Sequence, residues 1–143
     1  MRIWAVILLL LGALAPAHAE EVAEQRLEAA IAAFQSGDYA VANSLLRELA
    51  EREIPAAETL LGTMAANGEG SAQNHAVAAG WFLRASRRGY APAQLALALA
   101  FAQGRGVKRS DERALSLARA AARGQQPGAA ELIEQLTGTP AQP

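Results

Sequence analysis

The spacing of apolar residues predicts helices rather than strands from residue 20 onward. Over 20–36, apolar residues return every three or four positions without an internal glycine or proline. Over 39–52 one apolar stripe is formed by Val41, Ala42, Leu45, Leu46 and Leu49. Between the two segments, Gly37 can end the first helix and Asp38 can cap the second. Such a short turn predicts an antiparallel helical hairpin.

The stretch 93–106 has a two-residue period when it is taken alone, because leucine or phenylalanine alternates with alanine as in a strand. Its high alanine content and the preceding Pro92 favour a helix instead. A related pattern 36 residues earlier supports the helix, since eight residues of 57–88 recur identically at that offset. The pairs are Ala57/Ala93, Leu61/Leu97, Ala66/Ala102, Gly68/Gly104, Gly70/Gly106, Ala78/Ala114, Ala85/Ala121 and Arg87/Arg123.

Prolines and glycines divide the rest of the chain into further helices. Pro55, Pro92 and Pro127 recur at intervals of 37 and 35 residues, each where a helix can begin without losing a hydrogen bond. Gly68 and Gly70, with their counterparts in the next repeat, predict turns with positive φ. The prediction is an all-α fold, a short right-handed α-solenoid of about seven helices stacked as antiparallel hairpins.

The N-terminus has the parts of a secretory signal peptide. Arg2 supplies a positive charge, 3–15 is apolar or small, and Ala17-His18-Ala19 is a small-residue cleavage pattern. The apolar run is shorter than the roughly 20 residues that span a membrane. We therefore predict cleavage between Ala19 and Glu20, a periplasmic or secreted bacterial protein, and no stable membrane insertion afterwards. An uncleaved anchor is the alternative.

Both repeats resemble the Sel1-like repeat, a relative of the tetratricopeptide repeat. The second repeat matches the family pattern at Ala93, Leu97, Phe101, Gly104, Gly106-Val107, Ala114 and Ala121-Ala122. The first matches it at Ala57, Leu61-Gly62, Gly68, Gly70, Asn74, Ala78, Trp81-Phe82, Ala85 and Gly89. The second repeat departs from the pattern with Ala98 for a glycine and Leu117-Ala118 for two aromatic residues. The resemblance implies a fold and protein–protein interaction, often as an adaptor, and no reaction.

The resemblance also suggests how the chain is divided. After the signal peptide (1–19), a helical-repeat domain is predicted over 20–136, followed by a flexible tail over 137–143. The domain would comprise a tetratricopeptide-like hairpin (20–54), two Sel1-like repeats (55–91 and 92–126) and a capping helix (127–136).

Few residues suggest catalysis or metal binding. The chain contains no cysteine, which excludes disulfides, thiol catalysis and zinc–thiolate sites. His75 is the one histidine after the predicted cleavage site, and we expect it to be an ordinary exposed side chain. The Gly68-Glu69-Gly70 and Gly104-Arg105-Gly106 segments lack the spacing of phosphate-binding loops. We predict a non-enzymatic protein without a cofactor or metal.

Charge is unevenly distributed, with a balance of −7 over 20–72 and +5 over 73–143. The leading prediction is a protein or peptide partner held in a groove on the odd-numbered helices. The predicted contact residues are Thr59, Thr63, Asn67, Gln94 and Gln103. The alternative is an anionic envelope polymer, peptidoglycan or lipopolysaccharide, bound by the basic C-terminal half. Nucleic acid is not expected as a partner.

Overall fold

In a computed structural model, the described part of the chain folds into seven α-helices and contains no strand. The description covers the backbone of residues 2–138 and the side chains of residues 18–138. The helices are α1 (Arg2–Gln35), α2 (Tyr39–Glu51), α3 (Pro55–Asn67), α4 (His75–Arg87), α5 (Ala91–Gln103), α6 (Asp111–Arg123) and α7 (Ala129–Thr137). The all-α fold class is confirmed, whereas most of the predicted tail lies outside the described residues.

Helix ends follow short local signals. The Asp38 carboxylate accepts a hydrogen bond from the backbone N–H of Val41, and Asn74 and Ser110 cap α4 and α6 in the same way. Gly68 and Gly104 end α3 and α5 with φ of 75° and 66°, the left-handed conformation that glycine adopts without strain. These ends are where the sequence predicts them.

The start of the last helix differs from the prediction. Helix α7 begins at Ala129 rather than at Pro127, because Gly128 has a φ of 86° and interrupts the helix there. Gly124 ends α6 as expected, with a φ of −81°, and Gln125 after it has a φ of 56°. A Cβ at Gly124 would lie 2.5 Å from the Cβ of Ala91, so glycine here permits close contact between two segments.

Residues 1–45 and 46–143 form two compact units. In the first, Ala23, Ala30 and Ala42 are buried, and the rings of Phe34 and Tyr39 lie 5.8 Å apart. In the second, α3 packs with α4 and α5 with α6, while α4 contacts α5 and α7 contacts α6. Its buried residues are mostly alanines, which let helix backbones approach closely.

The two repeats use different pairs of residues where their two helices contact each other. A Cβ on Gly62 would lie 2.5 Å from the Cε1 atom of Phe82, so the phenylalanine ring rests directly on the α3 backbone. In the second repeat, Ala98 replaces the glycine and packs in one cluster with Ala118, which replaces the phenylalanine. The departure from the family pattern at Ala98 therefore accompanies a smaller partner across the helix pair.

A buried carboxylate, which the sequence analysis does not identify, joins three segments of the second unit. Glu58 on α3 is 0% exposed and lies 3.0 Å from Nη2 of Arg84 and 2.9 Å from Nη1 of Arg88. Arg84 also donates to the backbone carbonyl of Ala50, and Arg88 pairs with Glu53 at 2.9 Å. The second repeat has Gln94, Ala120 and Gly124 at the positions corresponding to Glu58, Arg84 and Arg88.

Candidate functional site

A cleft of about 610 Å³ opens between α3, α4 and α5. Its apolar lining residues are Ala66, Ala78, Ala79, Phe82, Ala96, Leu99 and Ala100. Its polar lining residues are Thr63, Asn67, Gln73, His75, Gln103 and Arg105. The cleft therefore combines an apolar surface with groups that can hydrogen-bond, as binding sites for peptides and small molecules do.

Small residues on α5 leave this space open. The positions of Ala96 and Ala100 correspond, one repeat later, to Leu132 and Leu136 on α7. Leu132 belongs to the cluster that contains Ala118, and Leu136 packs against that cluster. Alanine at the same register on α5 lacks the atoms that would fill the space beside α4. The same two repeat positions thus border a cleft on α5 and form a packed contact on α7.

One donor of each polar side chain on the α3 side of the cleft is already used within the protein. The Thr63 hydroxyl donates to the carbonyl of Thr59 at 3.1 Å, and Asn67 Nδ2 donates to Glu69 at 3.3 Å. Gln73 Nε2 donates to the carbonyl of Ala66 at 2.7 Å. The oxygen atoms of these three side chains keep lone pairs that can accept hydrogen bonds from a ligand.

Donors on the other side remain available. Within residues 18–138, the side chains of His75, Gln103 and Arg105 make no hydrogen bond or ion pair. Each of them carries N–H groups that can donate to a ligand. The guanidinium of Arg105 therefore lies towards the end of α5, whereas the α3 side keeps acceptor oxygens and the second N–H of each amide group.

The turn that carries Arg105 is held against α4. The backbone N–H of Arg105 donates to the carbonyl of Ala100 at 2.9 Å, and Gly106 has a φ of 71°. A Cβ at Gly106 would overlap the carbonyl group of His75, so the turn and the start of α4 are in direct contact. Only glycine fits there, and this contact keeps Arg105 beside the cleft.

The family model of the Sel1 repeat matches residues 55–90 and 91–125, which contain the helices lining the cleft. The chain is a Sel1 repeat protein. Sel1 folds generally serve as protein–protein interaction modules. No curated protein sequence matches the chain.

Two solved structures resemble this Sel1 repeat protein. A Sel1 repeat protein from Oxalobacter formigenes is 27% identical, with a TM-score of 0.73 over 82% of this chain and 48% of its own. The c5321 protein, a protective antigen of uropathogenic Escherichia coli with the same repeat fold, is 22% identical, with a TM-score of 0.76. That match covers 81% of this chain and 26% of c5321. The chain therefore spans about half and about a quarter of these two proteins.

Three of the five predicted contact residues of the Sel1 repeat protein lie together in the cleft: Thr63, Asn67 and Gln103. Thr59 lies outside it, and its hydroxyl donates to the carbonyl of Pro55 at 2.8 Å. Gln94 also lies outside, at the half-buried position that corresponds to Glu58. The periodicity of α3 and α5 thus predicts residues near the cleft. It does not distinguish the residues that line the cleft from those on neighbouring faces of the same helices.

Sequence reasoning missed the contribution of α4 and of the turns. His75, expected to be an ordinary exposed side chain, is half-buried and lines the cleft. Phe82 lines it as well, as do Gln73 and Arg105 from the turns. One usable signal was the comparison of α5 with α7, where alanines at 96 and 100 replace leucines at 132 and 136.

The basic region of the Sel1 repeat protein is partly neutralised. Arg84 and Arg88 are paired with Glu58, and Arg109 lies 3.1 Å from Asp111. The Asp111 carboxylate raises the pKa of Arg109, first through its hydrogen bond and then through its charge. The other cations of the basic C-terminal half (73–143) are Arg87, Arg105, Lys108, Arg113, Arg119 and Arg123. Three of the nine cations in this half are thus in ion pairs.

The described residues contain no cluster of three or more histidine, aspartate or glutamate side chains that could hold a metal ion. None of the helices searched within them has the length and apolar character needed to cross a membrane.

Proposed function

We propose that this protein is an interaction module or adaptor that binds a peptide segment of a partner protein in the cleft between α3, α4 and α5. The observation that carries the proposal is the composition of the cleft, whose edges offer hydrogen-bond acceptors and donors beside an apolar surface. An extended peptide backbone presents both kinds of group, and its side chains can occupy an apolar surface between them. The volume falls within the range of about 300–1,000 Å³ typical of ligand sites.

Leu99 offers the sharpest test of this proposal. It lines the cleft and is 37% exposed, whereas Leu83 on α4 is 39% exposed and does not line the cleft. A random 12-residue peptide library would be selected against the purified protein, and affinities of the selected peptides measured by fluorescence anisotropy. Because Leu99→Ser removes apolar surface from the site, we expect affinity to fall about tenfold, which corresponds to about 1.4 kcal/mol.

Leu83→Ser is the matched control and should leave affinity within about twofold, because the lost surface lies elsewhere. Equal loss in both variants would contradict binding in the cleft. Failure to select any peptide would remove the proposal. If that failure came with salt-sensitive binding to lipopolysaccharide or peptidoglycan, the polymer alternative would replace it.

We also propose that the protein is exported and that residues 1–19 are its cleaved signal. The proposal is supported by the sequence pattern of a charged start, an apolar run and a small-residue site. The side chains of residues 1–17 lie outside those described. Ala19 and Glu20 belong to α1 in the uncut chain and are exposed.

Expression in a Gram-negative host should yield a periplasmic protein whose first residue is Glu20, as measured by intact mass and N-terminal sequencing. Ala19→Arg should block cleavage, because the cleavage pocket requires a small residue. Glu21→Arg, two residues further on, should be processed normally. An N-terminus at Met1 on membrane-bound protein would instead establish the anchor alternative, and retention in the cytoplasm would contradict export.

A further inference from the structure

The turns that follow α3 and α5 carry opposite charges at corresponding positions. Glu69 and Arg105 are 36 residues apart, each between two glycines. Glu69 accepts a hydrogen bond from Asn67 and does not line the cleft. Arg105 lines it and makes no ion pair within residues 18–138. The charge of the cleft is therefore set by the second turn.

No carboxylate lines the cleft to oppose that charge. Its described lining residues are neutral except for Arg105 and, when protonated, His75. Gln103, on the last turn of α5, adds amide N–H groups two residues before Arg105. The positive charge therefore lies at one end of a surface whose remainder is alanine, leucine and phenylalanine, with Thr63, Asn67 and Gln73 on the α3 side. Such a site is complementary to an anionic group attached to an apolar segment.

We propose that the bound peptide carries a carboxylate, which Arg105 binds with Gln103 and His75 while an apolar side chain contacts Phe82 and Leu99. The inference rests on the proposed function and specifies the chemistry of its ligand. A guanidinium group can donate two parallel hydrogen bonds to a carboxylate. Either an aspartate or glutamate side chain or the C-terminus of the partner can supply it.

The composition of the cleft favours a single carboxylate over a polyanion. Arg105 is the one arginine or lysine among its described lining residues, and the surface beside it is apolar. A polyanion is bound by several cations spread along its path, and it gains nothing from contact with an aromatic ring and alanines. A short peptide with a carboxylate and apolar side chains is complementary to both the Arg105 end and the apolar part of the cleft.

The test repeats the 12-residue library selection in two formats, with peptides flanked on both sides and with free C-termini. Selected peptides should be enriched in aspartate and glutamate or should end in a free carboxylate. For one such peptide, Arg105→Glu should weaken binding at least tenfold, and Arg105→Lys less, because lysine lacks the two-pronged geometry. Arg119→Glu, an exposed position on α6 outside the cleft, should change affinity less than twofold.

Two changes in the peptide identify the source of the carboxylate. Conversion of its aspartate or glutamate to the amide should abolish the Arg105 dependence if a side chain is bound, and amidation of the C-terminus should do so if the terminus is bound. Selection against the Arg105→Glu variant should enrich lysine and arginine instead.

The inference and the proposed function fail in different ways. Peptides that lose affinity with Leu99→Ser, yet lack acidic enrichment and tolerate Arg105→Glu, would overturn the carboxylate and leave the cleft as the binding site. Absence of any bound peptide would overturn both.

Discussion

Replacing both Arg84 and Arg88 with methionine is expected to lower the free energy of unfolding by about 3–5 kcal/mol, because it leaves a buried charge without a partner. Glu58 is fully buried, and both of its carboxylate oxygens lie within hydrogen-bond distance of a nitrogen of Arg84, on α4, or of Arg88, which directly follows α4. Urea denaturation followed by circular dichroism measures the change.

The contributions of the two arginines should differ. Arg88 contacts both oxygens of Glu58 and pairs with Glu53, and its side chain is 29% exposed, compared with 45% for Arg84. The less exposed partner is screened less by water. We therefore expect Arg88→Met to account for the larger part of the loss.

Adding Glu58→Met to the double variant should recover most of the lost stability, because replacing an entire buried ionic cluster with apolar residues is often close to neutral. Arg87→Met is the control, since Arg87 is exposed and makes no ion pair within residues 18–138. A triple variant no more stable than the double one would show that the arginines act through packing rather than by compensating Glu58.

The second large effect concerns the contact between Gly62 and Phe82. Gly62→Ala is expected to cost about 1–3 kcal/mol, because the new Cβ would overlap the phenylalanine ring and the ring would have to move. Phe82→Ala should cost about 3–5 kcal/mol by leaving a cavity. In the Phe82→Ala background, Gly62→Ala should cost nothing, and thermal denaturation of the four proteins measures this coupling.

Gly80 supplies the control, because it also lies within a helix but has open space where a Cβ would be. Gly80→Ala should stabilise the protein by about 0.5–1 kcal/mol through the helix preference of alanine. If Gly62→Ala were equally stabilising, the ring would not constrain α3. Additive costs at positions 62 and 82 would contradict the direct contact.

Both stability predictions concern the position of α4, which also lines the cleft. α4 carries Phe82, which rests on Gly62 and also lines the cleft. Arg84 on α4 and Arg88 directly after it pair with Glu58 on α3. The position of α4 relative to α3 is thus fixed by the ring contact and by these ion pairs. Variants that loosen either contact should weaken peptide binding as well as stability, whereas Leu99→Ser should affect binding alone.

Much of the fold was accessible from the sequence, because helix ends depend on residues a few positions apart. Asp38, Asn74 and Ser110 each cap a helix through a hydrogen bond three residues away. Gly68 and Gly104 take positive φ where the repeat predicts turns. The start of α7 was two residues off, because Gly128 rather than Pro127 determines where that helix begins.

The candidate site could be predicted only in part from the sequence. The helical period pointed to α3 and α5, and three of the five residues, Thr63, Asn67 and Gln103, line one cleft, while their role in binding stays a prediction. The period does not reveal that Ala96 and Ala100 leave a space, because this depends on what α4 places opposite them. Nor does it reveal that Arg105 reaches the cleft, since that follows from the contact between Gly106 and His75.

The sequence by itself determined the helices, their caps, the 36-residue repeat and the Sel1 family, because these rest on local spacing and residue type. Only the tertiary structure decided the burial of Glu58, the reason for glycine at 62 and alanine at 98, and which residues line the cleft. Those properties arise between residues 20 or more positions apart, where helix packing selects which side chains meet.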